Sequence, residues 1–95
     1  MTAPLITDNP ARGRYEITLE GERVGLLTYR ISGERITMLH AEIDPAHGGR
    51  GLGTRLARGA LEDARARGLS VRPLCSFVAA VIRAEPDAYA GLVAD

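Results

Sequence analysis

Between residues 15 and 43 the apolar positions of the chain recur every second residue, whereas between 52 and 64 they recur every third or fourth. That change of period marks a chain that begins as strands and continues as helix. Tyr15, Ile17 and Leu19 alternate with Glu16, Thr18 and Glu20 and predict a half-exposed strand. Gly21-Glu22 is a turn signal, and Arg23 to Ile31 predicts a second strand, with Val24 and Leu26 on one face and Leu27, Tyr29 and Ile31 on the other. Apolar groups on both faces predict a sheet covered on both sides. Ser32-Gly33-Glu34 turns the chain again, and Arg35 to Ile43 predicts a third strand that ends at Asp44-Pro45.

Leu52, Leu56, Ala60, Leu61 and Ala64 form one stripe and predict a helix from about Gly51 to Arg67. Asp63 and Arg67 are a favourable i,i+4 pair within it, and Gly68 is a helix stop. Leu69 to Leu74 predicts a short fourth strand, which Pro73 must end or confine to an edge. Phe77, Val78, Val81 and Ile82 mark a second helix bounded by Pro86, and Asp87 to Val93 a final turn carrying Tyr89 and Leu92. Met1 to Arg14 holds two prolines and no periodicity, so residues 1–14 are expected to be a partly ordered lead-in and residues 15–95 a single domain. The strand–helix–strand crossover between the third and fourth strands should be right-handed and make them parallel. The expected fold class is α/β (α+β), a mixed sheet made of an antiparallel meander plus a parallel strand pair, with helices on both faces.

Composition removes several alternatives. With 95 residues, 45% of them apolar and 25% charged, the chain suits one ordinary globular domain. Its twelve basic residues, all arginine, balance twelve acidic ones, so no basic field points to nucleic acid and no polybasic tract to a membrane. One cysteine excludes an internal disulfide, and with two histidines it makes a poor metal set, so no metal is expected. The first sixteen residues, with Pro4, Asp8, Pro10 and Arg12, offer no apolar core for a signal peptide, and no apolar run reaches membrane-spanning length. A cytoplasmic monomer or weak dimer is expected.

Residues 48–53 read Gly-Gly-Arg-Gly-Leu-Gly, directly ahead of the first helix. Glycine lacks a Cβ, so successive N–H groups can converge on a ligand, and the helix adds its own unsatisfied N–H groups and partial positive charge. Together they predict a site for a phosphate or diphosphate. A nucleoside-triphosphate loop needs a lysine, and the chain has none. A dinucleotide fingerprint needs Gly-x-Gly-x-x-Gly after a parallel strand; here the spacing is Gly49-x-Gly51-x-Gly53 behind antiparallel strands.

Three side chains around this loop can carry chemistry. His40 lies near the end of the third strand, on the face of Ile36, Met38 and Glu42 if that strand is regular. Ligands in such sheets gather at strand carboxyl ends, which strengthens a functional role for His40 against that of a hydrogen-bonded core residue. Glu42 has the same advantage, although an acid near a strand end is more often simply solvated. Cys75 begins the second helix, where a thiol is either an inert small hydrophobe or a thiolate favoured by the helix N-terminus. The third and fourth strands end at the same sheet edge, so His40 and Cys75 can face one site. His47, in the approach to the loop, is expected to be exposed and is given no role.

Taken together, His40-Ala41-Glu42-Ile43, Gly49-Arg50-Gly51-Leu52-Gly53-Thr54-Arg55-Leu56, Arg72-Pro73-Leu74-Cys75-Ser76-Phe77 and Ile82-Arg83-Ala84-Glu85-Pro86 with Tyr89 and Leu92 resemble the GNAT superfamily of acetyl-coenzyme-A-dependent N-acetyltransferases. Within it they are most similar to the small single-domain, bacterial YjdJ-like branch. The resemblance runs from Tyr15 to Val93 and implies that the amides of Gly49, Arg50, Gly51, Leu52, Gly53 and Thr54 hold the coenzyme A diphosphate. It implies too that a bulge near Glu42 and Ile43 offers N–H groups to the thioester carbonyl, and that His40 and Cys75 are the catalytic pair. Gly48 departs from the superfamily pattern, which has Arg or Gln there. The helices that wall the acceptor site in larger relatives are replaced by Gly21-Glu22 and Ser32-Gly33, which implies an open site for a primary amine, whether small molecule or protein.

The chemistry is coherent in its own right. An imidazole near neutrality is a suitable base for an amine that must lose a proton before attacking a thioester, and Cys75 can protonate the departing thiolate or accept the acetyl group itself. The expected function is therefore acetyl transfer from acetyl-coenzyme A to an unidentified amine. The alternative from another class is a coenzyme A or acyl-coenzyme A binding or sensing module with little turnover. A redox role for Cys75 lacks a resolving cysteine.

Overall fold

In a computed structural model, which describes residues 3–94, the chain forms five strands and three α-helices. These are β1 (Leu5–Asn9), β2 (Arg14–Leu19), β3 (Glu22–Ser32), β4 (Arg35–Ile43), α1 (Leu52–Ala66), β5 (Ser70–Pro73), α2 (Ser76–Ala84) and α3 (Pro86–Tyr89). Short 3-10 turns at Pro10–Arg12, Pro45–His47 and Ala90–Leu92 join them. The strands lie in the order β1-β2-β3-β4-β5, antiparallel as far as β4, with β4 and β5 parallel. The mixed α/β class is the expected one, as are the elements from Tyr15 onward to within a residue or two.

The lead-in is different from the expectation. Leu5–Asn9 pairs with β2 along its whole length, from Leu5 opposite Thr18 to Asn9 opposite Arg14. Residues 1, 2 and 95, at the outer ends of the expected lead-in and domain, lie outside the described residues. The strand is held by more than its ladder. The Tyr29 hydroxyl donates to Asp8 at 2.5 Å, the Tyr15 hydroxyl donates to Asp63 at 2.6 Å, and Arg67 reaches Asp8 at 3.2 Å and Asp63 at 3.3 Å. Burial and these carboxylates push both tyrosines up, Tyr29 to about 12.

The placement of the helices also corrects the expectation. Cross-strand partners share a face, so Tyr15, Leu27 and Ala41 lie on one side and Glu16, Leu26 and Glu42 on the other. The first side is the core, where Ile17, Leu27, Ile36, Met38 and Val71 pack with Leu56, Ala60, Leu61 and Ala64 of α1 and Val78 of α2. Helices α1 and α2 run side by side there, tied by the Arg58–Glu85 ion pair at 2.8 Å. Val93 bridges Val71 in parallel, so α2 closes a second crossover that continues in the same direction along the sheet as the first. Two right-handed crossovers in one direction put their helices on one face. Among the described residues the other face, with Glu16, Thr28, His40 and Glu42, carries no helix.

Two bulges account for the apolar residues that suggested a doubly covered sheet. Thr18 faces Arg23 while Ile17 faces Gly25, which leaves Val24 as an extra residue and buries it with the core rather than with Leu26. In β4, Tyr29 faces Met38 while Thr28 faces His40, so Leu39 is extra. The alternation slips there by one residue. His40 therefore does not share a face with Ile36 and Met38, as a regular strand would require.

Candidate active site

Beyond Met38 the two parallel strands part. Their pairing runs from Arg35 opposite Ser70 to Met38 opposite Pro73, and a last bond runs from the Cys75 N–H to the Met38 carbonyl at 2.9 Å. From Leu39 to Ile43, β4 keeps β3 on one side and has no strand partner on the other among the described residues. The separation starts at the Leu39 bulge, which bends the strand. The bulge expected near Glu42 and Ile43 thus sits three residues earlier, at the apex of the opening.

The opening is a cleft of about 350 Å³ lined by Ala41, Glu42, Ile43, His47, Gly48, Gly49, Gly51, Leu52, Gly53, Thr54 and Phe77. Asp44 caps the turn that leads into it, accepting from the Ala46 N–H at 3.0 Å. Gly49 and Gly51 then adopt φ of +78° and +73°, in the left-handed region that glycine tolerates and side chains rarely adopt. Gly51 is the residue that caps α1, and among the described residues no side-chain hydrogen bond caps the first-turn N–H groups of that helix. Gly53 serves differently: a Cβ there would meet the Phe77 ring at 3.0 Å, so its absence lets α2 approach the start of α1. The result is a set of free backbone donors at the positive end of a fifteen-residue helix, facing an unpaired strand edge.

Seven of the residues proposed from sequence come together in this cleft: Glu42, Ile43, Gly49, Gly51, Leu52, Gly53 and Thr54. Arg50 belongs to the loop, but its side chain is exposed and does not line the cleft. His40 and Cys75 flank the apex without meeting. The His40 side chain is 62% exposed on the uncovered face, its Nε2 3.7 Å from a Glu42 carboxylate oxygen. Cys75 is 6% exposed and packs into the core from the start of α2. No hydrogen bond joins the two. Phe77 and His47 were not anticipated as cleft residues. Phe77 was legible only as an apolar helix position, and His47, expected to be exposed, is half-buried.

A strand edge released by its parallel partner, running through a glycine loop into an uncapped helix, defines the class of N-acetyltransferase folds. The model of the GCN5-related N-acetyl-transferase family matches residues 14–92, and the chain belongs to that family. Among curated proteins none matches the chain. A GCN5-like protein from Staphylococcus aureus is similar over 95% of this chain and 87% of its own, at 25% identity and a TM-score of 0.67. The ribosomal-protein-S18-alanine N-acetyltransferase of Escherichia coli matches 63% of this chain and 39% of its own (18% identity, TM-score 0.60). Ard1 of Thermoplasma volcanium matches 64% and 43% (22% identity, TM-score 0.57). The chain thus spans less than half the length of these last two proteins, and the likeness to them is one of fold.

Proposed function

We propose that the protein is an acetyl-coenzyme-A-dependent N-acetyltransferase of the small YjdJ-like kind, acting on a primary amine in the cytoplasm. The observation that carries the proposal is the opening of β4 from β5 onto the uncapped start of α1. In this account the amides of Gly49, Arg50, Gly51, Leu52, Gly53 and Thr54 hold the diphosphate. The pantetheine arm runs along Leu39 to Ile43, completing the ladder that β5 abandons. Glu42 and Ile43 line that path, and the thioester lies near the apex, between His40 and Cys75. The acceptor amine reaches it from the uncovered face, gives its proton to His40 directly or through water, and attacks the carbonyl carbon. The carbon–sulfur bond then breaks, and the departing sulfur takes a proton, for which Cys75 is the donor within reach of the apex. An uncovered face suits a protein or peptide amine, or a broad set of small amines.

A second reading is favoured by one observation, the separation of His40 from Cys75: a coenzyme A binding or sensing module with little turnover. Thiol release from acetyl-coenzyme A, followed with and without a panel of primary amines, separates the two. Transfer predicts release that depends on the amine. Tight binding with release no faster than spontaneous hydrolysis supports the binding module.

A further inference from the structure

Among the described residues His47 alone keeps a buried side-chain polar atom without a hydrogen-bond partner, its Nδ1. Native proteins rarely retain such an atom, because its lost hydration is returned by nothing. The turn that carries it has little freedom to relieve the loss. The His47 N–H bonds the Asp44 carbonyl at 2.8 Å, the Asp44 carboxylate holds Ala46, and the Gly48 N–H bonds the Pro45 carbonyl at 3.2 Å. The side chain itself lines the cleft beside Gly48, Gly49 and Phe77. Its surroundings select what the ring would meet on turning. Backbone donors of the loop and the start of α1 dominate that end of the cleft, so an acceptor-rich anion is the group that fits.

We propose that His47 is a binding residue of this anion subsite: when a diphosphate enters, the imidazole rotates and donates a ring N–H to one of its oxygens. The unpartnered nitrogen is then the cost of a donor kept in reserve. The inference rests on the coenzyme reading above, and it adds to the backbone cradle a side-chain contact that the glycine-rich loop itself lacks.

The test compares wild type, His47→Phe and His47→Gln by calorimetric titration with coenzyme A, with ADP as a diphosphate probe and with pantetheine, which has none. Thermal unfolding without ligand runs alongside. The expected result is a split: His47→Phe melts no lower than wild type, because a buried unanswered polar atom is gone, yet binds coenzyme A and ADP about tenfold more weakly, the worth of one hydrogen bond to a charged group. Pantetheine binding is unchanged, and His47→Gln recovers most of the coenzyme A affinity. Unchanged coenzyme A affinity in His47→Phe overturns the proposal, as does an equal loss for pantetheine. So does a lower melting temperature with an affinity loss that glutamine does not recover, since that describes a packing residue. Wild type that binds neither coenzyme A nor ADP overturns this inference and the proposed function together.

Discussion

The two ends of α1 are built on opposite principles. At the C-terminal end every polar side chain has its answer: Asp63 takes the Tyr15 hydroxyl and Arg67, Arg67 also reaches Asp8, and Asp8 takes the Tyr29 hydroxyl. The Arg65 guanidinium donates to the Ala88 carbonyl and ties α3 to the same end. At the N-terminal end, about 22 Å away along a fifteen-residue helix, the polar groups are left open. Among the described residues the first-turn amides have no side-chain cap, the β4 edge has no strand partner beyond Met38, and His47 Nδ1 has no hydrogen-bond partner. Unsatisfied groups are costly, and a protein that gathers them at one end of one helix offsets that cost elsewhere. The clamp at the far end, joining β1, β2, β3 and α1 through side chains, is the natural place for that offset. In this comparison one end holds the fold together and the other is the end to which the proposed function assigns a ligand.

The largest effect that can sharpen the comparison is kinetic. If Cys75 acts as the proton donor proposed above, Cys75→Ala is expected to lower turnover about 10²–10⁴-fold while coenzyme A binding persists. Steady-state rates with binding measured in parallel check it, and full activity in the variant removes Cys75 from the chemistry. Intact mass after acetyl-coenzyme A alone adds a further distinction, since one acetyl group that disappears in Cys75→Ala shows a covalent route.

Next in size are changes to packing and to the clamp. Gly25→Ala places a Cβ 2.5 Å from Ile43 Cδ1 and 2.8 Å from the Glu42 carbonyl oxygen, so backbone must move. A loss of about 1–3 kcal/mol in denaturant unfolding is expected. Tyr29→Phe takes one hydrogen bond from Asp8 and is expected to cost about 1–2 kcal/mol, with the coenzyme dissociation constant unchanged. A clamp variant that weakens binding as much as it weakens the fold would break the division between the two ends.

A last effect is a pH dependence confined to the alkaline side. An unfolded tyrosine ionises near pH 10, whereas burial and the bond to Asp8 hold Tyr29 to about 12, and Tyr15 is raised in the same direction. Above pH 10 the unfolded chain therefore binds fewer protons than the folded one, and stability falls as pH climbs from 10 through 12. Below pH 10 this contribution is complete and flat. The unfolding midpoint in denaturant should follow that curve, and Tyr29→Phe should make it shallower, leaving the share that Tyr15 contributes.

How far the molecule was legible from its sequence follows from how local each signal is. The stripe of Leu52, Leu56, Ala60, Leu61 and Ala64, the Asp63–Arg67 pair and the stop at Gly68 all act within a turn or two of helix, and α1 appears where they place it. The glycine loop was legible for the same reason. Strand β1 was not, because Leu5 to Asn9 is held by β2 and by the distant Tyr29 and Arg67 rather than by any alternation of its own. The face of His40 depends on one extra residue at Leu39, which a two-residue period cannot register. The bare face of the sheet depends on Val93 bridging Val71, a contact between residues that share no periodic element. His47 shows its unanswered nitrogen only once the Pro45–His47 turn has folded against the loop.

The most direct test of the division between the two ends is a thermal or denaturant unfolding experiment on wild type, Gly51→Val and Tyr29→Phe, each with and without coenzyme A. At about a hundred times the dissociation constant, the ligand should stabilise wild type by about 2.7 kcal/mol. Gly51→Val, strained in a left-handed position, should remain folded and lose that gain. Tyr29→Phe should start from a lower stability and show the gain in full. A gain that survives in Gly51→Val, or one that vanishes in Tyr29→Phe, would contradict the assignment of the ligand to the open end of α1.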